Sequence, residues 1–101
     1  MSDARSATAT VSSLNIEGEL TIYRAAEVCA TLKAALAGGG DLEVNLKDVT
    51  ELDSAGVQLL IVARRAARDA QCTLRLVGHS AAVLDVFEIL GLEPDLAEAV
   101  R

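Results

Sequence analysis

The sequence predicts an α/β fold: a single domain with a small mixed β-sheet and helices packed on it. Three observations predict it. Stretches that alternate apolar and polar residues give way repeatedly to stretches with apolar residues three and four apart. Glycines and small capping residues stand at the changeovers. A length of 101 residues with 51% hydrophobic content suits one core, and an aromatic content of 2% means that aliphatic side chains must build it.

Residues 1–10 are small and polar without periodicity, so a flexible tail is expected there and the domain is expected to occupy 11–101. Leu14 and Ile16 alternate with Asn15 and Glu17, Gly18 interrupts, and Leu20 and Ile22 resume the alternation. That pattern predicts strand, tight turn or bulge, strand, and a hairpin-like pair would make the sheet mixed. Ile22, Ala25, Ala26, Cys29, Leu32 and Leu36 then recur at helical spacing, with Thr21 as N-cap and Gly38, Gly39 and Gly40 ending the helix. A second strand runs from Asp41 to Leu46 with Leu42, Val44 and Leu46 on one face, and Lys47 to Gly56 reads as the loop that leaves it. Asp53 caps a helix reaching about Ala70, whose buried side is expected to be Leu59, Leu60, Val62, Ala63, Ala66 and Ala67. Thr73 to Val77 predicts the third strand, Gly78 and His79 a turn, and Ser80 the cap of a helix with Val83, Val86, Phe87 and Leu90 inward. Gly91 stops that helix, Pro94 prevents its continuation, and Asp95 to Val100 predicts a short terminal helix or strand.

Composition excludes several kinds of function. Fifteen acidic residues against nine basic ones leave a formal charge of −6, which repels nucleic-acid backbones and anionic membranes. No apolar run could serve as a signal-peptide core or a membrane span, so a cytoplasmic protein with no membrane insertion is expected. Cys29 and Cys72 lack the paired spacing of a metal knuckle or a disulfide framework, and neither a metal nor a cofactor is expected. The Gly38 to Gly40 run precedes a strand, whereas phosphate-cradling loops follow a strand and open a helix. His79 has no identifiable nucleophile as partner and reads as a turn residue. An enzyme would have to rest on Asp48, Glu51 and Asp53 beside Ser54, and no second loop supplies a base, a lysine or a Gly-rich phosphate site. A receiver domain would need a lysine late in the chain, and none follows Lys47. No catalysis is expected.

Ser54 is the position that draws attention. It opens a helix, where unpaired N–H groups and the positive end of the helix dipole would stabilise a phosphate. The same phosphate would stand beside Asp53 and near Asp48 and Glu51, and repulsion would alter the recognition surface. Two readings stay open: Ser54 helps to cap its helix, or it is a modification site.

LKDVTELDSAGVQLLIVARRA, from Leu46 to Ala66, resembles the signature of STAS domains of the anti-sigma factor antagonist (anti-anti-sigma factor) type. Ile16 to Leu36 and Leu74 to Leu92 add to the resemblance in the family's order. The resemblance implies a bacterial signalling protein that binds a partner protein and is switched by phosphorylation. The partner would be a serine kinase that doubles as an anti-sigma factor, captured when the antagonist is unphosphorylated, and a phosphatase would reset the system. Ser54 stands at the family's phosphorylated serine, after Asp53; Ala55 replaces a second hydroxyl found in many members, and Gly56 matches the family's glycine. The same resemblance leaves two other circuits open: a STAS regulator associated with chemotaxis or two-component clusters, and a STAS subunit regulating the ATPase of an ABC phospholipid transporter.

Spacing alone also suggests a partner face. Steps of four, three, four and three from Ser54 reach Gln58, Ile61, Arg65 and Arg68, one stripe of the helix. Facing solvent, it would offer Ile61 as apolar anchor and the arginines as electrostatic steering. The plain alternative is an ordinary surface on which Arg65 pairs with Asp69.

Overall fold

The computed structural model describes residues 11–93. The expected tail at 1–10 and the expected terminal element at 95–100 lie outside the described residues. Six elements alternate: β1 (Val11–Leu20), α1 (Ala25–Ala37), β2 (Asp41–Leu52), α2 (Ser54–Asp69), β3 (Leu74–Val77) and α3 (Ala81–Leu90). The three strands form one sheet in the order β1-β2-β3, with both pairings parallel. The α/β class is as the sequence predicts, but among the described residues the sheet is parallel, not mixed. Gly18, at φ +79°, does not reverse the chain. It sits beside an irregularity in the pairing of one continuous strand.

β2 runs six residues beyond the expected end at Leu46, so most of the expected loop is strand. The reason is a change of phase. From Asn15↔Asn45 to Glu17↔Asp48 β1 advances two residues and β2 three, and from Gly18↔Val49 to Glu19↔Glu51 they advance one and two. Each extra residue turns the side chains that follow to the opposite face. Leu42, Val44 and Leu46 are buried, the next buried position is Val49, and the alternation that marks a strand is lost.

Helices bury one stripe each against this sheet. Leu20, Leu42, Val44, Leu46, Leu60, Val83 and Phe87 are at most 2% exposed, and each such side chain contributes roughly 1.5–3 kcal/mol relative to exposure. α1 starts three residues later than the Ile22 expected: Thr21 to Arg24 form a turn, and Val28 and Leu32 are its buried residues while Cys29 is half-buried. Ile22, expected in the core stripe, is 64% exposed. On α2 the buried set is Gly56, Val57, Leu60, Ala63 and Ala67, with Leu59 half-buried and Val62 and Ala66 exposed. α3 buries Val83 and Phe87, whereas Leu90, expected inward, is 50% exposed beside the left-handed Gly91 that ends the helix.

Candidate functional site

The site is built where β2 ends and α2 begins, and one residue, Asp53, joins them. Asp53 is extended (φ −118°, ψ −177°), and its Oδ1 accepts from the Gly56 N–H at 2.9 Å, closing the N-terminus of α2. Its Oδ2 accepts from the Ile22 N–H at 3.0 Å in the turn that leaves β1. One carboxylate therefore ties two adjacent strand exits together. These donors, Gly56 first and Ile22 second, hold the Asp53 carboxyl below its usual range. Gly56 makes the junction close: a Cβ there would lie 2.1 Å from the Leu20 carbonyl oxygen and 2.7 Å from Leu52 Cδ1. Only a glycine lets the first turn of α2 rest on the end of β1.

Ser54 is the first helical residue and is exposed. Among the described residues its hydroxyl makes no hydrogen bond, so neither a cap nor a base engages it. The cap belongs to Asp53, which answers one of the two sequence readings. Without a hydrogen-bonded base the hydroxyl is not an activated nucleophile. Ala55 is half-buried. Glu51 is exposed and stands opposite Glu19 in the β1/β2 register. Asp48 lies further back on β2, where hydrogen bonds from Lys47 Nζ and Asn15 Nδ2, both 3.0 Å, lower its carboxyl from the usual value. The structure thus gathers Asp53, Ser54, Ala55 and Gly56 into one turn and leaves Asp48 engaged along the strand.

The expected helix stripe is reproduced with one change. Gln58, Arg65 and Arg68 are exposed like Ser54, but Ile61 is half-buried and packs on the core. Its neighbour Val62 is 54% exposed but lies about 80° around the helix from Ser54, outside this stripe. At 100° per residue Ile61 lies between Ser54 and Arg68 on the helix, so its partial burial comes from packing by neighbouring elements and not from drift of the stripe. Among the described residues no ion pair joins Arg65 to Asp69.

A family model described as "Mlab, STAS domain" matches residues 4–98. The chain belongs to the STAS domain family. A relative, the anti-sigma-B factor antagonist of Bacillus subtilis (strain 168), is 30% identical over 80 residues, which is 79% of this chain and 73% of that protein. A sulfate transporter family protein from Wolinella succinogenes superposes with a TM-score of 0.66 at 19% identity, over 90% of this STAS domain and 71% of that chain. A chain from the crystal structure analysis of Mglu gives a TM-score of 0.57 at 20% identity over 63% of this chain, which spans only 16% of that chain. These two structural likenesses concern the fold alone.

The STAS domain carries a feature beside Ser54 that sequence reasoning missed. Ile22 and Tyr23, in the turn between β1 and α1, are 64% and 88% exposed. Ile22 satisfied both the strand alternation and the helix spacing and so looked like core; its exposure follows from the turn that separates the two elements. The signal available in the sequence was the single tyrosine of a chain nearly devoid of aromatics. Among the described residues no group of three or more His, Cys, Asp or Glu could hold a metal ion, and no helix is long and apolar enough to cross a membrane. Cys29 and Cys72 are free, half-buried thiols, and His79 packs edge-on to Phe87 with ring centroids 5.8 Å apart.

Proposed function

We propose that this STAS domain is a non-catalytic regulatory module, related to anti-sigma factor antagonists, that binds a protein partner and is switched by phosphorylation of Ser54. The partner is a serine kinase that doubles as an anti-sigma factor, captured by the unphosphorylated domain in the cytoplasm and released when Ser54 is phosphorylated, with a phosphatase resetting the cycle. The observation that carries this reading is the division of labour at the start of α2. Asp53 supplies the cap, so the Ser54 hydroxyl stays exposed and uncommitted at a helix N-terminus. A phosphate placed there gains the helix dipole and meets the carboxylate of Asp53, which changes the surface without requiring the core to move. The identity with the Bacillus antagonist supports the partner class.

The experiment is intact-mass spectrometry of the protein from its own cells, with and without phosphatase treatment, followed by binding of Ser54→Asp and Ser54→Ala to the co-purifying partner. A phosphate on Ser54, weakened binding by Ser54→Asp and constitutive binding by Ser54→Ala are expected. Absence of phosphate under all growth conditions, with both variants binding like wild type, would replace the switch by constitutive docking, as for a subunit on a transporter ATPase.

A further inference from the structure

We propose that the Ile22–Tyr23 turn is the apolar anchor by which this domain seats in its partner, and that the partner offers an apolar pocket rimmed by arginine or lysine. This rests on the partner-binding reading above and adds the chemistry of the contact. Tyr23 is one of only two aromatic residues; the other, Phe87, is buried at 2% exposure, while Tyr23 is 88% exposed. A solvent-facing Ile–Tyr pair is the composition of an interface centre.

The pair is also held still. The Arg24 N–H donates to the Thr21 carbonyl at 3.0 Å and closes the turn, and the Tyr23 N–H donates to Thr21 Oγ1 at 3.3 Å. Thr21, itself buried, donates from Oγ1 to Glu19 Oε1 at 2.6 Å. The Arg24 guanidinium donates to the carbonyls of Glu17 and Glu19, and Asp53 Oδ2 holds the Ile22 N–H. A backbone fixed in this way presents its side chains with little ordering left to lose on binding. By contrast, Leu84, Ile89 and Leu90 of α3 are also exposed, but at 100° per residue they fall on different sides of that helix.

Charge selects the occupant. Glu19 and Glu51 stand opposite each other one residue before the paired strand ends Leu20 and Leu52, and Asp53 follows directly. An apolar knob beside three carboxylates complements an apolar pocket with a cationic rim. Release on phosphorylation is then a matter of geometry. A phosphate on Ser54 repels the Asp53 carboxylate and competes with it for the Gly56 N–H; once displaced, Asp53 lets go of the Ile22 N–H, and the anchor loses its fixed orientation.

The test places the photo-crosslinking residue p-benzoylphenylalanine at Tyr23, Gln58 or Leu84, one at a time, in the full chain within its own cells. Adducts from positions 23 and 58 with the same protein, mapped for position 23 to an apolar segment flanked by Lys or Arg, and no such adduct from position 84, are expected. In the partner so captured and purified, Tyr23→Ala should weaken binding about tenfold or more while Tyr23→Phe stays within about twofold of wild type. An adduct from position 58 alone, an adduct at 23 with a different protein or with an acidic surface, or full affinity in Tyr23→Ala overturns the anchor and leaves the proposed function standing. Adducts at 23 and 58 that persist in Ser54→Asp sink the switch and leave the anchor. No adduct at either position overturns both.

Discussion

Two helices of this domain start in the same way and serve different ends. α2 and α3 each follow a strand of the parallel sheet, and each has a side-chain oxygen that accepts from the N–H three residues on: Asp53 from Gly56 at 2.9 Å, Ser80 from Val83 at 3.2 Å. At α3 the serine is the cap, so its hydroxyl is committed, and the third helical residue is a fully buried valine. At α2 an aspartate takes the cap, the serine moves one place on and stays exposed, and the third residue is a glycine pressed on the Leu20 carbonyl. One start fills the core. The other trades core volume for a close junction between two strand exits and leaves a hydroxyl exposed to solvent.

The largest expected break in that comparison is at the third position. Gly56→Ala forces a Cβ to within 2.1 Å of the Leu20 oxygen and should cost about 3 kcal/mol in urea unfolding. Val83→Ala, the matched truncation at α3, should cost about 2 kcal/mol through a cavity and leave partner binding unchanged. Next comes Ser80→Ala, which removes a cap worth about 1 kcal/mol. Asp53→Asn keeps an oxygen for Gly56 and loses the acceptor for Ile22, so its effect on melting temperature should be smaller and pH-dependent. The Asp53 carboxyl is held below its ordinary value in the folded state. Its stabilisation is therefore complete above the unfolded value of about 4 and is lost as pH falls through the lower folded value. The gap between wild type and Asp53→Asn in thermal melts should be constant near neutral pH and close under strongly acid conditions. Ser54→Ala should move stability least, by under about 0.5 kcal/mol, because the hydroxyl is exposed and no cap is lost. A loss as large as that of Ser80→Ala would return Ser54 to a capping role.

What could be read in the sequence follows from what is local. Asp53, Ser80 and Gly91 act within a few residues of themselves, so the starts of α2 and α3 and the stop of α3 were legible from residue type. The extra residues in β2 are defined only against β1, a partner thirty residues away, so nothing within 41–52 announced that the strand continued past Leu46. At Gly18 the sequence left a tight turn and a bulge open, since a positive φ serves both; the strand irregularity is what forms, and only the hairpin-like pair drawn from the turn is absent among the described residues. In the site, Asp53, Ser54 and Gly56 were recognisable as a motif. The link from Asp53 to Ile22 spans 31 residues of sequence and appears only when the two strand ends are side by side. Val62 stands about 100° from Ile61 and outside the stripe of Val57, Leu60, Ala63 and Ala67 that is buried, whereas the half-burial of Ile61 depends on what packs beside α2 and is not contained in its spacing.

The placement of Tyr23 decides what light can report about this protein. The chain has no tryptophan and a single tyrosine, and that ring stands in water on the turn beside Ser54, away from the aliphatic core. Intrinsic tyrosine fluorescence is then nearly silent to unfolding, because the ring is solvated before and after. Its quenching by iodide should instead follow docking, so the emission of the unlabelled domain would serve as a built-in sensor of partner engagement.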